Sequence, residues 1–170
     1  MKDKKVYKIV ASALFAAVIC LATALFPIKL MHGFVNAGDG FIIIAGMFMG
    51  GIYGGLAAAI GSAAADILAG YVLYAPATFV IKGLMAVLAA FVYKRMKKGG
   101  DALKIAVCSV CAEIVMVGGY FLFECVAFGF PGAAADVAGN MLQAAAGIVI
   151  AFTLGNIIER TPALKKYLQD

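Results

Sequence analysis

Twelve of the fourteen Lys and Arg residues in this chain fall into three clusters separated by long apolar stretches. Lys2, Lys4, Lys5 and Lys8 form the first, Lys94, Arg95, Lys97, Lys98 and Lys104 the second, and Arg160, Lys165 and Lys166 the third. Only Lys29 and Lys82 stand outside them. Short basic loops of a membrane protein stay on the cytoplasmic side. All three clusters are therefore expected inside, with an even number of spans between each and the next. The pattern predicts a polytopic membrane protein with both ends cytoplasmic.

Composition agrees: the chain is 65% hydrophobic and 14% charged, with a mean hydropathy of +1.02. Its 170 residues make one domain with room for about six helices of ~20 residues. The net charge of +5 sits at span ends rather than in an interleaved basic patch, which argues against nucleic acid and suits anionic headgroups. Cys20, Cys108, Cys111 and Cys125 all lie in apolar stretches. Cys108 and Cys111 form a CxxC with no second pair and no nearby His, too few ligands for zinc. No cofactor or metal is expected. The N-terminus resembles a signal peptide, but its apolar run is long enough to span. It reads as a retained first helix, because removing it would break the parity.

The expected spans are 7–26, 35–51, 52–71, 76–93, 105–128 and 135–158. Pro27 closes the first, and an outer loop of residues 28–37 follows. Residues 38–70 pass for one long span, yet one span there would put the second basic cluster outside. As a straight helix those residues would also measure ~50 Å, against a hydrocarbon core of ~30 Å. Two spans restore the parity, with the Gly-rich run of residues 50–55 as the cytoplasmic turn and Phe130-Pro131-Gly132 as the last outer turn. The fold class is an all-α integral membrane protein, a six-helix transmembrane bundle. Small residues recur every fourth position at Gly51, Gly55, Ala59 and Ala63 and at Gly147, Ala151 and Gly155. Such stripes allow close helix packing inside the bundle.

Ionisable groups within spans are costly and usually face a bundle interior or a watery cavity. Asp39, Asp66, Lys82, Glu124, Asn140 and Gln143 fall at similar depth, within ~10 Å of the outer surface by helical rise. Tyr71, Tyr74, Phe79, Tyr120 and Phe123 share that height. Together they predict an outward-facing polar pocket with aromatic walls, although Lys82 also has reason to pair with Asp66 or Asp39 merely to neutralise the bundle. The tyrosines have an alternative role as an interfacial belt. His32 reads first as a solvated loop residue and second as a contact to ligand. Glu113 lies deeper, and is expected to be a helix-packing group outside the pocket. No HExxH, GxSxG or Walker A pattern occurs, and the single His lies in a loop, so an enzyme is not expected.

Val35-Asn36-Ala37-Gly38-Asp39, the Gly61-Ser62-Ala63-Ala64-Ala65-Asp66 run, and Gly70-Tyr71-Val72-Leu73-Tyr74-Ala75-Pro76-Ala77-Thr78 leading into Ile81-Lys82-Gly83-Leu84 carry a resemblance. The chain resembles the substrate-binding S components of energy-coupling factor (ECF) vitamin transporters, nearest to the riboflavin, hydroxymethylpyrimidine and pyridoxine group. The resemblance implies a six-helix subunit in a prokaryotic plasma membrane. Such a subunit binds a vitamin from outside and docks on one transmembrane T subunit and two cytoplasmic ATPases. Ala13 and Ala17 match the Ala-xxx-Ala motif that contacts the T subunit. Thiamine binders of this superfamily typically stack Trp on the ligand, and this chain has no Trp. That lowers thiamine, and the family likeness ranks hydroxymethylpyrimidine or pyridoxine first as substrate and riboflavin next. The competing reading from another class is an autonomous, proton-coupled secondary transporter acting as a dimer.

Overall fold

A computed structural model describes residues 2–25, 28–29 and 31–169. Among these the architecture is helical apart from one two-residue strand pair. Helix α1 is Lys2–Ala24, and β1 (Ile28–Lys29) pairs antiparallel with β2 (Phe34–Val35) in the loop that follows. Helix α2, Gly38–Ile44, runs on through a π-helical segment, Ala45–Met49. Helices α3 (Gly51–Leu68) and α4 (Ala75–Arg95) come next. The helical stretch Asp101–Arg160 breaks at Gly129, whose φ of 78° and ψ of 168° are not helical. It is therefore two helices, α5 (101–128) and α6 (130–160). A short amphipathic helix, α7 (Pro162–Gln169), closes the chain.

The turns are tighter than the sequence suggests. Between α2 and α3 only Gly50 leaves helical space, with φ 87°, a conformation that a side chain would oppose. The other glycines of that run belong to α3, Gly51 and Gly55 facing α4 and Gly54 the π-helical segment. A Cβ on Gly54 would lie 2.4 Å from the Ala45 carbonyl oxygen. The expected turn over residues 130–132 likewise shrinks to Gly129. Pro131 fits the first helical turn, where its missing N–H costs nothing, so α6 begins near residue 130 instead of 135. The second expected span is also shorter in its helical part, Gly38–Met49. Residues 42–48 are all buried, so this helix is wrapped by protein and needs no lipid-exposed length. Pro27, read as the end of the first span, lies outside the described residues.

Close backbone approaches join the helices. Gly61 of α3 sits on the Ala16 carbonyl of α1, Gly46 of the π segment on the Ala86 carbonyl of α4, and Gly40 of α2 on Ile150 and Ala151 of α6. Gly155 of α6 packs on Ile105 of α5, and Gly119 of α5 on Ile81 of α4. The α6 stripe thus serves packing within the bundle, while on α3 Gly55 and Ala59 meet Val87 and Gly83 of α4 and, with Gly51, also line an apolar groove.

Contacts near the basic clusters hold them at one end. The Tyr7 hydroxyl donates to the Tyr167 carbonyl at 2.6 Å, Tyr93 donates to Glu159, and Glu159 also pairs with Lys165. The loop of residues 31–37 and the Gly129 turn lie together elsewhere, tied by His32 to Asp136 and Phe128. Four helical stretches, Lys5–Ala24, Gly51–Leu68, Ala75–Arg95 and Asp101–Arg160, are long and apolar enough to cross a membrane.

Candidate ligand-binding site

Asp39 occupies the first turn of α2, where a helix amino end favours negative charge. It is fully buried and accepts from Lys82 Nζ on α4 at 2.5 Å through one oxygen. Its other oxygen accepts from Gln143 Nε2 on α6 at 2.7 Å. The Gln143 carbonyl in turn accepts from the Asn36 backbone N–H at 3.0 Å and its side-chain amide at 3.2 Å. The Asn36 Oδ1 accepts from the Gly38 N–H at 2.9 Å. One satisfied polar network therefore fastens the 31–37 loop, α2, α4 and α6 to one another, and such networks stiffen a core. Lys82 Nζ also lies 5.2 Å from the Tyr120 ring centroid.

Beside this network is a cavity of about 20 Å³ lined by Gly33, Phe34, Asn36, Asp66, Tyr74, Thr78, Tyr120, Glu124, Asn140 and Gln143. That is room for roughly one water molecule. Thr78 and Tyr120 share a hydroxyl hydrogen bond of 2.9 Å, and the Tyr74 hydroxyl donates to Glu124 Oε1 at 3.3 Å. Tyr74, in the turn ahead of α4, has its phenol pushed well above its usual value by burial first and then by the Glu124 carboxylate, so it remains a neutral donor. Asp66 Oδ2, Glu124 Oε2 and Asn140 Nδ2 are buried without a hydrogen-bond partner among the described residues. The Asn140 amide lies beside Glu124 short of hydrogen-bond geometry. Aromatic rings crowd the same place: Tyr74 lies 5.1 Å from Phe123, 6.1 Å from Phe128 and 6.3 Å from Tyr120 between centroids.

Of the residues expected from the sequence, the fold gathers Asp66, Tyr74, Tyr120, Glu124, Asn140 and Gln143 around the cavity. Asp39 and Lys82 form the buried pair beside it, and Lys82 takes Asp39 over Asp66. Tyr71 stands behind the wall, against Phe34 at 4.8 Å. Phe79 does not belong: it is 44% exposed and lines an outer apolar groove between α3 and α4. The helical period explains this, since Thr78 and Lys82, four apart, face inward and Phe79 is turned about 100° away. His32 is not solvated; it is 24% exposed, bonds Asp136 at 3.0 Å and stacks on Phe128 at 4.2 Å. Asp136 also accepts the Met31 and His32 backbone N–H groups. Glu113, expected as a helix-packing group outside the pocket, does not line the cavity; it packs against Gly147 next to Asp39, with neither carboxyl oxygen hydrogen-bonded.

Sequence reasoning missed Gly33, Phe34, Asn36, Thr78 and Asp136. Asn36 precedes Asp39 by three residues and Thr78 precedes Lys82 by four, a spacing that was legible; Asp136 had no signal until the loop folded onto it. Ala13 and Ala17 lie on the exposed face of α1, whereas Ala16 meets Gly61 of α3. No group of His, Cys, Asp and Glu suited to a metal occurs among the described residues.

Residues 3–160 match the sequence model of a family described as the ECF-type riboflavin transporter, S component. A protein of Pyrococcus woesei, described as an uncharacterized protein in gap 3'region, is 36% identical over 134 residues. That alignment covers 79% of this chain and 88% of the other.

Proposed function

The chain belongs to the ECF-type riboflavin transporter S component family, and on that premise we propose that the cavity between the outer loop and α3 to α6 is where it captures its vitamin. It is a vitamin-transporter substrate-binding subunit and a multi-pass membrane protein, and it is not an enzyme. The family implies a T subunit, ATPases and a vitamin ligand within a membrane. In our reading six spans, 7–26, 35–51, 52–71, 76–93, 105–128 and 135–158 give or take the turn adjustments above, cross a prokaryotic plasma membrane. Both ends and all three basic clusters face the cytoplasm. The cavity then opens outward, and a small heteroaromatic vitamin or precursor, hydroxymethylpyrimidine or pyridoxine first and riboflavin next, is delivered inward with one T subunit and two ATPases.

The observation that carries this reading is the convergence of buried polar groups without partners, Asp66, Glu124 and Asn140, inside an aromatic ring of Tyr74, Tyr120 and Phe34. A polar atom left unpaired in a buried place costs free energy, and a polar ligand removes that cost. Ligand pockets measure ~300–1,000 Å³, far above the present 20 Å³. Binding a vitamin therefore requires the cavity to enlarge.

The deciding measurement is thermal stabilisation of the detergent-purified protein by a panel of B vitamins and precursors. A ligand at ~100 times its dissociation constant adds ~2.7 kcal/mol to a state it binds exclusively. Uptake into vesicles should then require the T subunit and ATPases. Uptake by this chain alone, abolished by an uncoupler, would replace the proposal with a proton-coupled transporter.

A further inference from the structure

The cavity is acidic and rich in acceptors. Two carboxylates, Asp66 and Glu124, and no Lys or Arg line it among the described residues. The nearest buried cation, Lys82, is already engaged by Asp39. Asp66 is 4% exposed and Glu124 2%, and each keeps one oxygen, Oδ2 and Oε2, without a donor. The second Glu124 oxygen is met only by the Tyr74 hydroxyl at 3.3 Å. Asn140, 6% exposed, holds an Nδ2 donor with no acceptor. A carboxyl group offers acceptor oxygens and an amide nitrogen only donates, so the partner is specified in chemical terms. Asn140 lies beside Glu124 and Thr78 beside Asp66, so these neighbours meet part of the need, and the remaining partner brings donors to the two carboxyl groups. Phe34, Tyr74 and Tyr120 line the cavity, and aromatic walls favour a flat aromatic partner. A negative group on the ligand would join two carboxylates in a poorly screened interior with no free cation to meet it.

We infer that the site takes a flat nitrogen heterocycle bearing an exocyclic amine or protonated ring nitrogen, with a ring nitrogen or hydroxyl acceptor, and excludes anionic vitamins. The inference rests on the proposal that this cavity is the vitamin site, and it assigns the roles within it. Asp66 and Glu124 receive the donors of the ligand, and Asn140 donates to its acceptor. Lys82 makes no contact with the ligand and holds Asp39 and Gln143 in place.

The test is titration calorimetry on the full-length protein in detergent with hydroxymethylpyrimidine, which is an aminopyrimidine, pyridoxamine, pyridoxic acid, pantothenate and riboflavin. Pyridoxamine and pyridoxic acid share a ring and differ in the sign of one substituent. At least one of the two amines should bind, and more tightly than pyridoxic acid or pantothenate by roughly tenfold or more. Asp66→Asn and Glu124→Gln should each weaken that amine by a similar factor while eluting as the wild type does in gel filtration. The wild-type ratio of amine to acid stands as a separate criterion if either variant fails to fold. An acid that binds as tightly as the amines, or folded variants of unchanged affinity, would overturn the inference. Riboflavin or pantothenate binding without either amine would also overturn it yet leave the vitamin-site proposal standing. Failure of every compound on folded protein would remove both.

Discussion

Lys82 and Asp39 show how a single pair organises a site. Both are essentially inaccessible, at 2% and 0% exposure, and removing one partner of a buried pair strands the other's charge, typically at about 3–5 kcal/mol. Lys82→Met should lower stability by about that amount, seen as a fall in melting temperature. Replacing both residues, Lys82→Met with Asp39→Leu, should recover much of the loss, because two apolar side chains leave no orphan charge. A double variant no more stable than the single one would show that the Gln143 and Asn36 bonds to this network matter more than the ion pair. The sequence narrowed the partner of Lys82 to Asp66 or Asp39 without choosing. The choice follows from helix placement, since α2 lies where Gln143 of α6 supplies the second hydrogen bond to Asp39. Phe79 was misplaced for a complementary reason. Depth along a helix can be counted from sequence, but the rotation that separates an inward Thr78 from an outward Phe79 depends on where the neighbouring helices stand.

At the scale of elements, glycine marks where helices touch. A Cβ on Gly46 would come 2.2 Å from the Ala86 carbonyl oxygen, which is backbone and unable to swing aside, whereas one on Gly118 would meet nothing within 4 Å. Gly46→Ala should therefore destabilise by about 1–3 kcal/mol, as overpacking does, while Gly118→Ala should leave the melting temperature unchanged. Equal effects would mean that the α2–α4 contact yields more than rigid packing allows. The 31–37 loop makes a second element with a testable tether. Asp136 accepts three hydrogen bonds from Met31 and His32, and each net bond contributes ~0.5–1.5 kcal/mol. Asp136→Ala should raise hydrogen exchange of the amides in residues 31–36 and leave those of α3 alone. Unchanged exchange in the loop would mean that the His32–Phe128 stack suffices to hold it. The tether was invisible in the sequence because it joins residues about a hundred positions apart, and a lone loop His gives no hint of a distant carboxylate.

For the whole molecule, polarity of ends is the organising fact. Tyr7 with Tyr167 and Tyr93 with Glu159 draw the basic clusters together, and the polar cavity sits with the 31–37 loop and the Gly129 turn. Ala13 and Ala17 lie exposed on α1, a flat face suited to a transmembrane partner. Ala13→Leu with Ala17→Leu should abolish ATP-driven uptake in vesicles holding the T subunit and ATPases, with vitamin affinity of the isolated subunit unchanged. Normal uptake by the double variant would place the docking face elsewhere. The membrane character and the family were determined by the sequence alone, because hydropathy, basic clusters and local motifs are properties of contiguous residues. So was most of the cavity lining, since ionisable groups in apolar helices have few places to go. Only the tertiary structure decided that Lys82 pairs with Asp39, that Phe79 faces outward, that His32 is fastened by Asp136 and that Glu113 stands beside Asp39. Each of these depends on the rotation and separation of helices distant in sequence, which the order of residues along one helix does not encode.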